Sequence, residues 1–463
     1  MYDHLASDPR VTVWTRGLPD PDGRCVVYWM QRAQRATDNP ALDVAVDLAN
    51  ELRVPVVVFL GLHPGITRAN LRHYQFLVEG LPDIEDGLRL RGVGFVLRPF
   101  PHHSLHRFVT QVRAAVVIGD ENPLRQFTAW RARVAESIRV PFWTVDADVV
   151  VPSRLLLKEQ YAARTIRPRI HARLNEFLVP TRDPSARVPW QPPEGLAHAP
   201  VSPSVLDDLP LDRSLGPVTT FIGGTTHARQ RLEAFVRSRA ADYDEGRNHP
   251  ERAATSELSP YLHFGHIGPR EVALAVQSAE MPADSRAAFI EQLVVRRELA
   301  VNSVTYNPRY DTLAGCEPWA RATLARHTTD PRPAHYREEV LDAGDTGDPL
   351  WNAAQHQMAE TGWMHGYVRM YWAKKLLEWM PDPEQAHDLA VRLNDRYQLD
   401  GRDPNGYTNI AWAIGGKHDR PWPERPVFGT IRSMSLASTS RKFDAAAYIA
   451  RWRGDRAPLV GAS

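Results

Sequence analysis

The stretch 351–379 reads WNAAQHQMAETGWMHGYVRMYWAKKLLEW and carries four tryptophans. Its pattern predicts one long helical run. Trp372 and Trp379 are seven residues apart, and two helical turns separate them, so their side chains are expected on one face. Gly362 and Gly366 would remove side chains from one edge of this helix, so that another body could approach its backbone closely.

A row of indoles that leads to a glycine-lined surface suits the delivery of electrons from solvent to a redox cofactor. Tryptophans at helical spacing are also common in hydrophobic cores, and core packing is the more frequent role of any single one. The pattern alone leaves both interpretations open.

Short apolar runs in the first part of the chain are predicted to be strands buried on both faces of a parallel sheet. They are CVVYWM (25–30), VPVVVFL (54–60), VGFVLR (93–98), AAVVIG (114–119) and VPFWTV (140–145). Amphipathic helical patterns such as 41–52 and 126–138 separate them. This alternation predicts a doubly wound, Rossmann-like α/β domain. No GxGxxG follows the first strand, so dinucleotide binding in the Rossmann manner is not supported.

The chain is long enough for two domains. We expect an α/β domain over 1–180, a proline-rich linker over 181–217 and an all-α domain over 218–463. The clearest helical patterns after the linker are 227–243 and 269–280.

Composition limits the classes of protein. Two cysteines, Cys25 and Cys316, exclude a disulfide framework and a cysteine-rich zinc site, and no metal is expected. Without an apolar signal segment or a run of eighteen apolar residues, the chain is expected to be soluble and cytoplasmic, with no membrane partner. The net charge of +1 does not indicate nucleic-acid binding, which has to come from local sites.

Several long motifs occur in one order along the chain. They are YWMQRAQRATDNPAL (28–42), SELSPYLHFGHIG (256–268), VVRRELAVNSVTYNPRYD (294–311), DPLWNAAQHQM (348–358), GWMHGYVRMYWAKKLLEW (362–379), LNDRYQLDGRDPNGY (393–407) and ERPVFGTIRSM (424–434). In this order they closely resemble the class II cyclobutane-pyrimidine-dimer photolyases of the photolyase/cryptochrome family, flavoenzymes that use light to repair DNA damaged by ultraviolet light. The resemblance implies an antenna-type N-terminal domain, a helical FAD-binding domain, damaged DNA as partner and a monomer.

The segment 255–268 resembles the family's clamp for the FAD pyrophosphate. Ser259 before Pro260 suits a helix N-cap followed by proline at the first helical position, and Gly265 suits the helix end. A Ser-Pro helix start is common in purely structural roles, so only the resemblance favours the clamp. The resemblance assigns cofactor binding to Tyr243, Thr255, Ser256, Glu257, Leu258, Ser259, Arg297, Arg369, Asp400 and Asp403.

Family members place a glutamate that matches Glu298 on the damaged pyrimidine, and Asn302 is a candidate second contact. An acid there could stabilise charge on the lesion, and burial would raise its pKa so that it stays protonated. The pattern alone is also compatible with a surface charge pair between Glu298 and Arg297.

Further roles follow from the resemblance. Asn394 matches the asparagine beside flavin N5, while Met370 and Trp412 match lesion-pocket residues. A half-exposed indole suits stacking on a flipped-out base pair. The residues assigned to electron transfer are Trp351, Trp372, Trp379 and Tyr336, and the basic residues expected on DNA phosphates are Arg432, Arg441 and Lys442.

The resemblance therefore implies light-driven repair of pyrimidine dimers by electron transfer from excited reduced FAD, with a possible deazaflavin antenna. Alternatives are a cryptochrome-like photoreceptor, a class that often carries a long C-terminal tail, or a (6-4) photolyase, a class that relies on histidines beside the lesion. His365 occurs in the MHG motif of this chain, but that histidine also belongs to the class II dimer pattern. The sequence departs from the family at Ala33, where an acid is usual, at Trp363, where lysine is common, and at Gly415-Gly416, which replace a cysteine-containing motif.

Overall fold

A mixed sheet of six strands forms in the first part of the chain, in a computed structural model that describes residues 2–453. The strands are β1 Val11–Thr15, β2 Cys25–Trp29, β3 Val56–Leu62, β4 Gly94–Pro99, β5 Ala114–Asp120 and β6 Phe142–Val145, in the order β1-β6-β5-β2-β3-β4. Strand β1 runs antiparallel to β6, and the other neighbours are parallel. The five predicted strands are confirmed. Strand β1 was not predicted; it is a short edge strand that is buried only in part.

Strands β2 and β5 lie side by side at the centre and are buried along their whole length. The chain continues from β2 to β3 on one side and returns to β5 on the other, so a topological switch point lies between β2 and β5. Asp120, at the end of β5, accepts hydrogen bonds there from the backbone N–H groups of Gln31 (3.1 Å), Arg32 (2.9 Å) and Ala33 (2.9 Å). The chain's own loop after β2 is therefore held at the carboxyl edge of these two strands.

Helices account for most of the remaining regular structure. The first part contains α1 Asp3–Ala6, α2 Pro40–Leu52, α3 Leu71–Glu79, α4 Leu81–Leu90, α5 Leu105–Val112, α6 Arg125–Ser137, α7 Ala163–Phe177, α8 Thr225–Ser238, α9 Tyr243–Gly246, α10 Ser259–Phe264, α11 Pro269–Ser278, α12 Ala283–Ile290 and α13 Arg297–Tyr306. A π-helical segment, Glu291–Arg296, joins α12 to α13. The later helices are α14 Pro318–Arg326, α15 Glu338–Ala343, α16 Pro349–Thr361, α17 Gly366–Trp379, α18 Pro383–Tyr397, α19 Pro404–Gly415, α20 Leu436–Thr439 and α21 Ala445–Arg451. Short 3₁₀ turns occupy Ser153–Leu155, Pro203–Leu206, Ala240–Asp242 and Leu313–Gly315.

The prediction of one helix over 351–379 is wrong. Gly362 has φ of 70° and ends α16, because a left-handed residue stops the helical hydrogen-bond ladder and glycine adopts it without a Cβ penalty. His365 then caps α17, and its Nδ1 accepts a hydrogen bond from the Tyr367 N–H at 3.2 Å. The two glycines therefore separate two helices instead of thinning the edge of one.

The proline-rich stretch 181–217 follows the α/β layer, with only one short 3₁₀ turn. The Ala186 N–H donates to the Arg91 carbonyl oxygen at 2.8 Å, and the Ala199 N–H donates to the Leu97 carbonyl oxygen at 2.9 Å. The Trp190 ring covers Gly94, where an added Cβ would lie 2.3 Å from the indole. The stretch is a surface wrap, as its composition predicts.

The chain divides into two compact units. The first contains Met1–Ala241 and Ser256–Pro308, and the second contains Asp242–Thr255 and Arg309–Ser463. Most helices between 225 and 306 therefore belong to the same unit as the sheet. This division differs from the predicted domains, and the boundaries of those domains stay a prediction. The first unit is α/β with added helices, and the described part of the second is helical.

We predict that Gly362→Ala lowers the free energy of unfolding by about 1 kcal/mol, because alanine is strained at positive φ. Gly366→Ala is the matched control, since its Cβ would meet nothing within 4 Å. The control should stay within about 0.5 kcal/mol of the parent. Urea unfolding followed by tryptophan fluorescence measures both, and equal losses would contradict the role given to Gly362.

Candidate active site

Four aromatic side chains of the second unit form a continuous row. Trp372 stacks on Trp351 with ring centroids 6.3 Å apart and planes 7° apart. Trp351 meets Trp379 edge to face at 5.4 Å, and Trp379 meets Tyr336 in the same manner at 5.0 Å. The structure therefore brings the four predicted electron-transfer residues together in the order Trp372, Trp351, Trp379, Tyr336.

Hydrogen bonds hold the inner rings of this row. Trp351 Nε1 donates to the Trp372 carbonyl oxygen at 3.0 Å, and Trp372 Nε1 donates to Gln355 Oε1 at 2.9 Å. Trp351 and Trp372 are fully buried and Trp379 is 4% exposed, whereas Tyr336 is partly exposed. The row thus leads from the interior toward solvent. Trp372 and Trp379 are two turns apart on α17, and Trp351 of α16 lies between them and contacts both rings.

Arg369 and Asp400 form a buried ion pair. Arg369 Nη2 lies 3.1 Å from Asp400 Oδ1 and 3.2 Å from Oδ2, and it also donates to the Met364 carbonyl oxygen at 3.2 Å. Arg369 precedes Trp372 by three residues on α17, so the two side chains lie on neighbouring positions of one helix face. The ion pair therefore stands beside the inner end of the aromatic row.

The segment 393–407 folds back on itself around Asn394 and Asp395. Asn394 Nδ2 donates to Asp395 Oδ1 at 3.1 Å, and Asn394 Oδ1 accepts from Gln398 Nε2 at 3.0 Å. Asp395 also accepts the Arg402 N–H at 2.8 Å. Asn394 is 1% exposed, and its amide has a second N–H beyond the one given to Asp395.

Asp403 has a structural task in this segment. Its Oδ1 caps α19 by accepting the Asn405 N–H at 2.9 Å and Asn405 Nδ2 at 3.0 Å. Asp400 instead pairs with Arg369, so the two acids have separate roles in the structure.

Met370 and Trp412 are both partly buried in the second unit. Lys374 lies against the Trp412 ring, with Nζ 4.6 Å from the ring centroid, and donates to the Ala413 carbonyl oxygen at 2.8 Å. Burial lowers the pKa of the fully buried Lys374 to about 7. Sequence reasoning missed this lysine because KK at 374–375 resembles an ordinary solvated pair.

Two buried donors at the start of α17 have no protein acceptor within residues 2–453. They are Nε of Arg369, which is 7% exposed, and Nε2 of His365, which is 3% exposed. Because His365 Nδ1 accepts the Tyr367 N–H, its proton belongs on Nε2 when the ring is neutral, and burial lowers the His365 pKa to about 4. Buried donors normally have acceptors, so this place fits a ligand with acceptor atoms, such as a flavin.

In the first unit Glu298 is buried and supports the chain after β6. Its Oε1 accepts the N–H groups of Val150 at 2.7 Å and Val151 at 3.3 Å, while Oε2 is buried without a partner in the described structure. Burial raises the Glu298 pKa to about 8, although the two backbone hydrogen bonds lower it. The alternative of a surface charge pair with Arg297 is wrong, because Arg297 pairs with Asp148 at 2.5 Å.

Asn302 supports the same segment of the first unit. Its Oδ1 accepts the Gln160 N–H at 2.7 Å, and its Nδ2 donates to the Lys158 carbonyl oxygen at 3.1 Å. Asn302 is 2% exposed, so both ends of its amide are committed to the protein backbone. These two hydrogen bonds give Asn302 a structural role. Its contact with DNA stays a prediction.

The start of helix α10, in the predicted pyrophosphate clamp, differs from the prediction. Helix α10 begins at Ser259, with Leu258 in the cap position and Pro260 in the first turn, so Ser259 is not the N-cap. Gly265 ends the helix in the left-handed conformation, as predicted. Glu257 has φ of 54° and pairs with Arg231.

The other predicted clamp residues lie in different surroundings. Tyr243, in the second unit, has its pKa raised to about 12 by burial. Thr255 and Ser256 are partly buried and lie on the two sides of the division between units. Their assignment to cofactor binding stays a prediction.

The basic residues expected on DNA are exposed. Arg432, Arg441 and Lys442 are all accessible, and the Arg432 guanidinium lies 4.7 Å from the Trp422 ring centroid. Arg420 lies on the same ring at 5.3 Å. This arginine–tryptophan cluster was not predicted, because neither RPW (420–422) nor PVFGTIR (426–432) has a pattern that indicates it.

We predict that Glu298→Gln becomes more stable relative to the parent as pH rises from about 5 to about 8. A carboxyl with a raised folded-state pKa keeps its proton in this window while the unfolded state releases it, so stability falls with rising pH. Glutamine cannot ionise and escapes this loss. Glu291→Gln is the control, because arginines lower the Glu291 pKa and both states stay ionised throughout the window. Melting temperatures measure the difference, and a flat profile for Glu298→Gln would contradict a neutral Glu298.

Among residues 2–453, no helix combines the length and the apolar character that a membrane crossing needs. The same part of the chain contains no group of three or more histidine, cysteine, aspartate or glutamate side chains that could hold a metal ion.

Comparison with known proteins places the chain in a family. Residues 26–189 match the DNA photolyase family. The deoxyribodipyrimidine photo-lyase of Methanothermobacter thermautotrophicus is 40% identical over 439 residues, which cover 94% of this chain and 96% of that protein.

Solved structures show the same fold at low identity. A Synechocystis cryptochrome matches with a TM-score of 0.74 and 17% identity, covering 95% of this chain and 89% of its own. An archaeal photolyase from Sulfolobus tokodaii, solved with two FAD molecules, matches with a TM-score of 0.69 and 18% identity, covering 93% of this chain and 90% of its own. The fold is thus shared by photolyases and cryptochromes, and identity to the Methanothermobacter enzyme over nearly the whole length decides between them: the chain belongs to the DNA photolyase family and is an enzyme of the photo-lyase type.

Proposed function

We propose that this chain is a class II cyclobutane-pyrimidine-dimer photo-lyase, which uses light to repair damaged DNA in the cytoplasm as a monomer. The observation that supports this most strongly is the row Trp372, Trp351, Trp379, Tyr336 beside the Arg369–Asp400 ion pair. A core built only for stability would not require four rings in contact along one path from a buried ion pair to a partly exposed tyrosine.

FAD is the proposed cofactor, as in the Sulfolobus photolyase described above. Bound in its reduced form, FAD would supply the light-excitable electron donor that dimer splitting requires. In the second unit, Arg369 and His365 offer the donors Nε and Nε2 to acceptor atoms, and Asn394 offers its second N–H. Asp400 offsets the charge of Arg369, which would otherwise make an isolated buried cation.

The aromatic row has a separate task, which is to restore the reduced state. Its members would pass single electrons inward from an external reductant such as a thiol. Tyr336 lies at the outer end, and its hydroxyl accepts the Gly347 N–H at 3.0 Å. Oxidation of this phenol would release its proton toward solvent, so that the charge does not return along the row.

Glu298 is proposed to act on the lesion as a neutral acid. Because Oε1 accepts two backbone N–H groups, its proton belongs on Oε2, which has no partner within the described residues. A neutral O–H group can donate to a pyrimidine carbonyl oxygen and stabilise negative charge that develops there. The raised pKa supports this protonation state at neutral pH.

Trp412 is proposed to stack on the flipped-out dimer, and Met370 to line the same pocket in the second unit. Both are partly buried, which leaves ring and thioether surface for a ligand. Arg432, Arg441 and Lys442 are proposed to contact DNA phosphates. The sheet domain is proposed to bind a deazaflavin antenna, which the absorption spectrum of the purified protein would reveal as a second chromophore.

We predict that Trp351→Phe, Trp372→Phe or Trp379→Phe slows photoreduction of oxidised FAD roughly tenfold or more, since phenylalanine is much harder to oxidise than tryptophan. Repair by enzyme reduced beforehand should be nearly unchanged. Trp319→Phe is the control, because Trp319 makes no ring contact with the row among the described residues. Flavin absorbance during illumination measures the rate. Parent-like photoreduction in all three variants would leave packing as the role of these rings.

We predict that Glu298→Ala lowers the repair yield per photon more than the affinity for damaged DNA. The carboxyl acts mainly on the charged lesion, and loss of one charge-assisted hydrogen bond costs about 1.5–3 kcal/mol. Glu298→Gln keeps an N–H donor and should retain most of the yield. Trp412→Ala should instead lose mainly affinity, because stacking is worth about 1–3 kcal/mol per base before any electron moves.

Quantum yield at saturating DNA and gel-shift affinity separate these two roles. If both alanine variants lost yield and affinity in equal measure, the assignment of Glu298 and Trp412 would fail.

A further inference from the structure

Adjacent lysines on α17 face two different indoles of the second unit. Lys374 Nζ lies 4.6 Å from the centroid of Trp412, and Lys375 Nζ lies 5.0 Å from the centroid of Trp379. One of these indoles belongs to the aromatic row, and the other is proposed to stack on the lesion. Both indoles can be oxidised. Repair therefore requires a difference between them that makes Trp379 lose an electron more readily than Trp412.

The surroundings of the two lysines differ in charge. Lys375 lies 3.5 Å from Asp348 Oδ2 and also pairs with Glu378, so two carboxylates accompany one cation beside Trp379. Asp348 is 6% exposed and also accepts the Trp351 N–H at 3.0 Å. This cluster has a formal excess of negative charge, which favours a positive charge on the Trp379 ring.

Lys374 has the opposite setting. It is fully buried, and no carboxylate of the described residues lies within ion-pair distance of its Nζ. Its one hydrogen bond goes to the Ala413 carbonyl oxygen, on the same helix as Trp412. A positive charge over the face of an indole attracts the neutral ring but repels the ring once it has lost an electron.

We propose that Lys374 makes Trp412 harder to oxidise, whereas Asp348 and Glu378, which outnumber Lys375, make Trp379 easier to oxidise, so that electrons are drawn from the aromatic row and the indole of the lesion pocket is spared. This assignment rests on the proposed function for the role of the two indoles, while the electrostatic difference itself needs no flavin. In this proposal Lys374 is a positioning residue, because its described contacts are with the Trp412 ring and the Ala413 carbonyl oxygen and it would act on the lesion through Trp412.

The charge on Lys374 gives the proposal a pH signature. Burial lowers the pKa of Lys374 to about 7, and the charged groups whose fields reach Nζ are Asp419, which raises the pKa, and Arg432, which lowers it. Below this pH the ammonium is present and protects Trp412. Above it the amine is neutral, so the protection is lost as pH rises.

Azide radicals produced by pulse radiolysis test this in the flavin-free protein. The radical takes one electron from an indole and becomes azide, and the oxidised indole then releases its ring N–H proton. Peptide mass spectrometry measures the oxidation products at Trp412 and Trp379. In the parent, the ratio of product at Trp412 to product at Trp379 should rise roughly threefold or more from about pH 6 to about pH 8.5.

Lys374→Met should give the high ratio at both pH values. Lys374→Gln, which keeps a donor for the Ala413 carbonyl oxygen, should give the same result and decides the question if the methionine variant does not fold. Lys375→Met leaves two carboxylates beside Trp379, so it should lower the ratio and keep its pH dependence. A parent ratio that is independent of pH and unchanged in Lys374→Gln would overturn the proposal.

Because no flavin is present, failure of this test is distinguishable from failure of the proposed function, which would appear as absent flavin binding or absent repair.

Discussion

The ion pair between Arg369 and Asp400 is the interaction on which the second unit's proposed cofactor site depends. Both residues are less than 10% exposed, and Nη2 bridges both carboxylate oxygens. Removal of one partner would leave an uncompensated buried charge, which typically costs about 3–5 kcal/mol. The pair connects the first turn of α17 to the turn after α18, and the Leu399 N–H adds a hydrogen bond to the Gly362 carbonyl oxygen at 2.7 Å. Arg369 thereby places Trp372, three residues further along α17, at the inner end of the aromatic row.

Buried acids organise the first unit in a comparable way. Asp120 holds the loop after β2 through three backbone N–H groups, and Glu298 holds Val150 and Val151 after β6. The two acids differ in whether a carboxyl oxygen is left to contact a ligand. Asp120 also accepts the Tyr28 hydroxyl at 2.8 Å, whereas Glu298 keeps one oxygen without a partner in the described part of the chain. A neutral Glu298 can therefore support the fold and still donate a hydrogen bond, which is the property proposed for repair.

Local patterns in the sequence predicted the central strands, the surface wrap 181–217 and the end of α10 at Gly265, because apolar runs, prolines and glycines act on the nearest backbone. They failed where the outcome depends on distant partners. The prediction of one helix over 351–379 failed for a local reason instead, because the pattern did not indicate that Gly362 adopts the left-handed conformation and ends α16. The place of Trp351 between Trp372 and Trp379 requires the packing of α16 on α17. The burial of Lys374 depends on its contact with α19, and the choice between a buried Glu298 and a surface charge pair depends on the chain after β6, so the local pattern decided neither. The site residues themselves came from the family resemblance, and their assigned roles stay predictions.

The central claim is that light, acting through this protein and reduced FAD, splits pyrimidine dimers. The most direct measurement is the recovery of intact thymines from an oligonucleotide that contains one cyclobutane dimer. Flavin-loaded, chemically reduced protein would be illuminated with blue light under anaerobic conditions, beside an identical sample in the dark. The account predicts that the dimer is converted to two thymines with multiple turnovers in the light and that the dark sample is unchanged. An intact dimer after illumination of the reduced, flavin-loaded protein, or equal conversion in the dark, would contradict it.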